Sequence, residues 1–164
     1  MDIRRLDETD WQAYRAVRLA ALRDEPTSFG SDAEFEAGLG EAWFRQALRG
    51  SFIFAAWRDG AIVGLAAWRA NAVAKQAHIG AVWGMYVAPT ERGLGTGRAL
   101  LEALIAHARG QGVEGLKLFV TVGNGAAQRL YDRLGFVPYG LEPKTLKLGG
   151  RYYDNELRML WLRS

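Results

Sequence analysis

Val87-Ala88-Pro89-Thr90-Glu91-Arg92-Gly93-Leu94-Gly95-Thr96-Gly97-Arg98 is the stretch on which the reading of this chain turns. An apolar strand closes at its start and three glycines follow at alternate positions. Behind them Leu100, Leu101, Leu104, Ile105 and Ala108 keep the period of a helix. Glycine has no Cβ, so the chain can bend sharply there and bring main-chain N–H groups close to an anion. The first helical turn adds unpaired donors and the positive end of the helix dipole. The stretch therefore predicts a site for a pyrophosphate or a similar group.

Spacing separates this turn from other glycine-rich phosphate loops. A nucleoside-triphosphatase loop needs Gly-Lys-Ser/Thr, and no glycine here is followed by lysine. A dinucleotide fingerprint would place its third glycine where Leu100 stands and an acidic residue at the end of the next strand, which reads Leu116-Lys117-Leu118-Phe119-Val120-Thr121-Val122. What remains is Arg92-x-x-Gly95-x-Gly97 behind a strand ending Val-x-Pro. A second block follows, Asn124-Gly125-Ala126-Ala127-Gln128-Arg129-Leu130-Tyr131-Asp132-Arg133-Leu134-Gly135-Phe136. Asn124 suits a helix N-cap, Gly135 a left-handed exit, and Phe136 the start of a strand. Asn124, Ala127 and Tyr131 fall on one helical face.

With these two blocks in this order, the chain resembles the GNAT superfamily of acyl-coenzyme A-dependent N-acetyltransferases. The tail from Leu141 to Glu156 is similar to that of bacterial members acting on amino acids and other small amines. The resemblance implies an α/β GNAT fold, with a mixed, mostly antiparallel sheet of six to seven strands and about four helices. It implies acetyl-CoA as co-substrate and direct transfer to a primary amine of a small molecule or peptide. Backbone groups of Met85, Tyr86 and Val87 would meet the pantetheine arm. Gly93, Leu94, Gly95, Thr96 and Gly97 would hold the diphosphate, with Asn124 and Ala127 beside them and Tyr131 as general acid at the sulfur. A homodimer is a further expectation from the family.

Arg92 and Arg98 flank the glycines and are candidates for the pyrophosphate or the 3′-phosphate, or else ordinary solvated arginines. Tyr131 has its own plainer reading as a core tyrosine on the stripe of Ala127, Leu130 and Leu134. The general base stays open. His78 titrates in a useful range; Glu34 and Glu36 lie in a polar segment that shapes the acceptor pocket in similar enzymes; Glu142 and ordered water are further choices. His107 reads as solvated.

Composition narrows the classes. A chain of 164 residues, 49% hydrophobic, suits a single domain over 1–164 with its own core. No apolar run approaches the ~20 residues of a membrane span, and Met1-Asp2-Ile3-Arg4-Arg5 opens no signal sequence, so a cytoplasmic protein without membrane contact is expected. With no cysteine there is no thiolate metal site and no cysteine acyl-enzyme, and no metal is expected. The net charge of +3 is spread among acids, which speaks against nucleic-acid binding.

The predicted order is β-α-α-β-β-β-α-β-α-β-β: a strand from Ile3, a helix to Arg23, and a helix over Glu41 to Leu48 with Trp43, Phe44 and Leu48 inward. Strands over Phe52 to Trp57 and Ala61 to Arg69 join at Asp59-Gly60, a hairpin signal. A strand over Ala77 to Val87 feeds the glycine turn, and strands over Phe136 to Tyr139 and Tyr152 to Trp161 close the chain. Trp43, Trp68 and Trp83 are candidates for the acceptor pocket. The alternative to an enzyme is a catalytically silent acyl-CoA sensor on the same fold.

Overall fold

Two apolar runs sort their side chains onto opposite faces of a sheet. In β2 (Phe52–Arg58), Phe54 and Ala56 join one core while Ile53 and Ala55 join the other. In β3 (Ala61–Ala70), Ala66 and Trp68 oppose Leu65 and Ala67 in the same way. All eight are buried, so helices cover both faces. Helices α1 (Trp11–Asp24) and α3 (Glu41–Gly50) pack on one face; α4 (Thr96–Gly110) and α5 (Gly125–Arg133) pack on the other.

The computed structural model describes residues 1–162. Its sheet also contains β1 (Asp2–Arg5), β4 (Ile79–Val87), β5 (Gly115–Thr121), β6 (Val137–Leu148) and β7 (Arg151–Trp161), in the order β1-β2-β3-β4-β5-β7-β6. Every pairing is antiparallel except β4 with β5. The mixed, mostly antiparallel architecture is thus the expected one. Asp59 and Gly60 both have positive φ, as a two-residue hairpin turn of this twist requires.

The elements depart from expectation in two places. A short helix, α2 (Ala33–Ala37), forms where only a polar loop was expected, because Asp32 accepts from the N–H of Phe35 and caps it. The last hairpin is longer than expected: β6 runs on to Leu148 through Pro138 and Pro143, which an edge strand tolerates. Two aromatic expectations also fail. Trp43 is 39% exposed beside the buried Phe44, and Trp68 is a core residue at 1%. Trp68 donates its indole N–H to His107 Nδ1 at 3.2 Å, and the His107 ring lies against Phe52 and Phe54, so His107 is half-buried rather than solvated.

One irregularity shapes the site. Leu65 pairs with Tyr86 but Ala67 pairs with Trp83, so β4 carries one extra residue against β3. Gly84 occupies this bulge with φ of +65°, a conformation open to glycine without strain. An extra residue exchanges the faces of everything after it. Val82 accordingly belongs to the α4 core, while Tyr86, four residues on, belongs to the α1 core. β4 and β5 pair only over Ile79–Ala81 and Gly115–Lys117, and past that point the strands part.

Candidate active site

The gap between the parted strands opens into a cavity of about 730 Å³. Val82 to Val87 form one wall and Leu118 to Thr121 the other. The edge of β4 that faces β5 has no strand partner along the cavity, so its backbone donors and acceptors are available to an extended ligand.

The glycine turn closes one end. Gly95 caps α4 in the left-handed region with φ of +86°, and Gly93 has φ of +77°. In this shape the N–H groups of Gly93 through Arg98 donate to no backbone carbonyl among the described residues. They stand at the positive end of a 15-residue helix, an arrangement that suits a diphosphate. Gly97 serves by its size. A Cβ there would lie 3.1 Å from Met85 Cε and 3.2 Å from Leu130 Cδ2, so the helix sits so close to β4 and α5 that an alanine would have to push these side-chain ends aside.

Of the residues expected at this end, Gly93, Gly95, Thr96, Gly97, Arg98, Met85, Tyr86 and Val87 line the cavity, as do Asn124, Ala127 and Tyr131. Leu94 does not; its side chain is 65% exposed. Thr96 is buried with its hydroxyl near Glu91, which pairs with Arg58 at 2.8 Å. Asn124 caps α5 through the N–H of Ala127 at 3.3 Å, and its amide donates to the Ser28 hydroxyl.

Both flanking arginines are engaged by protein. Arg92 lies against Asp24 at 2.7 Å and Glu25 at 3.1 Å, and donates to the Val87 carbonyl. Arg98 pairs with Glu102 one turn along α4. Two arginines that were not expected, Arg129 and Arg133, also line the cavity from α5.

None of the expected bases lines the cavity. His78 precedes β4 at its opposite end and is exposed. Glu34 is exposed beside Arg23. Glu36 is buried, but both its oxygens are held at 3.0 Å by Arg18. Glu142 lies on exposed β6, near Thr145. Two carboxylates do line the cavity: Glu91, paired with Arg58, and Glu25, at the C-cap of α1. Asp24-Glu25-Pro26 held a signal for Glu25, since acids at the negative end of a helix dipole need a compensating cation or a function.

The wall opposite the glycine turn is built by Arg18, Phe29 and Trp83. Arg18 stands over the Phe29 ring at 5.4 Å and the Trp83 ring at 5.7 Å. Tyr131 reaches the cavity from the α5 layer and Glu25 from the α1 layer, so they approach it from opposite sides of the sheet. Burial, with the nearby Glu25 carboxylate, pushes the Tyr131 phenol far above its usual range. Burial also raises the Glu25 carboxyl, against the opposing pull of Arg92 and with the aid of Asp24.

Comparison with known proteins agrees with this geometry. Residues 8–136 match the acetyltransferase (GNAT) family. Mycothiol acetyltransferase of Thermobispora bispora is 36% identical over 136 residues, covering 81% of this chain but 45% of that protein. The chain spans less than half the length of such relatives. Among solved structures, a GNAT-family acetyltransferase from Streptococcus pneumoniae superposes with a TM-score of 0.88 at 24% identity, over 98% of both chains. A Salmonella typhimurium structure solved with its cofactor acetyl-CoA superposes with a TM-score of 0.81 at 25% identity, over all of this chain and 95% of that one. This chain belongs to the GNAT family of acetyltransferases.

Proposed function

We propose that the chain moves the acetyl group of acetyl-CoA directly to a primary amine of a small molecule or peptide. The observation that carries this reading is the continuity of one cavity. It joins the free N–H groups of the glycine turn to the open edge of β4 and passes Tyr131 on its way to the Arg18, Phe29 and Trp83 wall. That course suits a diphosphate, an extended arm and a thioester in sequence, with the acceptor beyond.

The chemistry sets three requirements. A lysine-like amine with a pKa of ~10.4 is protonated in neutral water and must lose a proton before its nitrogen attacks the thioester carbon. The oxyanion formed needs a fixed donor, and the unpartnered backbone edge of β4 supplies candidates. The departing thiolate needs a proton. Tyr131 is the proposed donor, since its buried phenol stays protonated across the working pH range.

Calorimetry with acetyl-CoA, followed by thiol release with amino acids, dipeptides, amino sugars and polyamines, tests the reading. Binding with release of one thiol per amine acetylated is expected. No affinity for acetyl-CoA would overturn the assignment. Binding without turnover on any amine would favour the acyl-CoA sensor.

A further inference from the structure

We propose that Glu25 is the group that takes the proton from the acceptor amine, an assignment that rests on the transferase reading above. Two carboxylates line the cavity, and they differ in how they are held: Glu91 is buried with one oxygen on Arg58 and the other against the Thr96 hydroxyl, whereas Glu25 is ion-paired through Oε1 alone; Glu36, held on both oxygens by Arg18, does not line the cavity. The Glu25 backbone is fixed as the C-cap of α1, where its N–H donates to the Ala21 carbonyl. Its side chain is half-buried and oriented by Arg92, 3.1 Å from Oε1, and Oε2 makes no ion pair among the described residues. It enters from the α1 layer, whereas Tyr131 enters from the α5 layer, so acid and base reach the same cavity from opposite faces of the sheet.

The charged and titratable groups around Glu25 are Arg92 from the glycine turn, its neighbour Asp24, Tyr86 from β4 and Tyr131 from α5. Burial and Asp24 favour its protonated form, and Arg92 favours the carboxylate. The result is a carboxylate more basic than one in water, a change in the direction a general base requires.

The protons balance as follows. The ammonium gives one proton to the Glu25 carboxylate, directly or through water, and Glu25 later releases it to solvent. The amine nitrogen bonds to the thioester carbon and the carbon–sulfur bond breaks. Tyr131 protonates the leaving thiolate and regains a proton from the newly acylated nitrogen. The products are an amide, the free thiol and one proton.

The test is Glu25→Gln, assayed by thiol release with the best acceptor of the amine panel from pH 5 to about 10, beside calorimetry with acetyl-CoA. Expected is a fall in kcat/KM for the amine of about 100-fold or more at neutral pH. Acetyl-CoA affinity should stay within threefold and the thermal midpoint should hold. The deficit should shrink as pH climbs toward the pKa of the amine, because free amine then needs no base. A purely structural role would give a loss independent of pH. The unaltered protein should show its acid limb in kcat/KM well below the pKa of the acceptor and at the same pH for acceptors of different pKa, a readout that stands even if the variant does not fold; a limb that follows the pKa of the acceptor overturns the base assignment. Activity within threefold of the unaltered protein, or a pH-independent loss, overturns the base assignment while leaving the transferase reading intact. Absence of acetyl-CoA binding or of turnover by the unaltered protein overturns both.

Discussion

Arg92 Nη2 lies 2.7 Å from Asp24 Oδ2, tying the glycine turn to the last residue of α1 across 68 positions of sequence. Asp24 and Glu25 stand where a helix dipole disfavours negative charge, and Arg92 offsets both. The partners are 43% and 34% exposed in their side chains, so water and salt screen the attraction, which is worth about 1 kcal/mol or less. Arg92→Met should lower stability by that amount in urea titrations, more at low ionic strength than at high. Acetyl-CoA affinity by calorimetry should change by less than about threefold, under 1 kcal/mol. A tenfold loss would mean that Arg92 leaves Asp24 to meet a phosphate.

Tyr131 sets a sharper expectation. Removing only its hydroxyl leaves the ring, 5% exposed and packed edge-on to Phe136, in place. Tyr131→Phe should therefore keep its fold and its acetyl-CoA affinity while kcat falls by about 10²–10⁴. The deficit should narrow with acyl donors whose leaving thiols are more acidic, since these depart without a proton. Full turnover by the variant would remove Tyr131 from the reaction.

Gly95 and Gly97 separate backbone strain from crowding. Gly95→Ala places a Cβ in open space but at φ of +86°, at a cost of about 1–2 kcal/mol that urea titration would register. Gly97→Ala lies in the first helical turn, where propensity favours alanine by about 1 kcal/mol. Its Cβ meets only the ends of Met85 and Leu130 and a Val87 methyl at 3.4 Å, which can yield toward the cavity. Global stability should be nearly unchanged, and acetyl-CoA affinity should fall as the cavity narrows. The pair would show stability and affinity moving independently.

What could be read in the sequence was local. The glycine turn announces itself because bend, donors and helix start are adjacent in the chain, and the capping bond of Asn124 reaches only to Ala127. Gly84 carried a weaker mark, an isolated glycine inside a strand pattern, which suggests a bulge without showing which faces it exchanges. Of the wall opposite the glycine turn only Trp83 was named from the sequence, and the rest was hidden because tertiary contacts build it. Arg18 meets Glu36 and stands over Phe29 only after α1 and α2 dock. His78 and Glu34 attracted notice by residue type, whereas Glu25 depends on where the end of α1 falls against Arg92. Trp68 and His107 were misjudged because a polar atom on each finds its partner on the other, 39 residues away.

The Arg18–Glu36 pair joins α1 to α2 through two hydrogen bonds of 3.0 Å, with side chains 9% and 1% exposed. Breaking such a pair leaves an uncompensated buried charge, at a cost of about 3–5 kcal/mol. Glu36→Leu alone should destabilise the protein by that order in chemical denaturation. Arg18→Met combined with Glu36→Leu should recover most of the loss, because two apolar side chains need no solvation. A double variant as unstable as the single one would show that shape, not charge, holds α2 in place.

His107 gives the fold a pH dependence with a definite sign. Burial, aided by the positive charge of Arg5, holds its pKa below that of a free imidazole. In the folded state Nδ1 accepts from Trp68, so that nitrogen must be unprotonated. As pH falls below the unfolded value of ~6.5, the unfolded chain binds the proton first and stability drops, until the folded pKa is reached and the difference stops growing. Above the unfolded value this contribution is complete. Urea titrations from pH 5 to about 8 should therefore show stability rising with pH across the lower part of that range. His107→Gln, which keeps an acceptor for Trp68 but cannot titrate, should flatten the rise. If the variant reproduces the slope of the unaltered protein, the proton is taken up elsewhere and the Trp68 contact does not govern it.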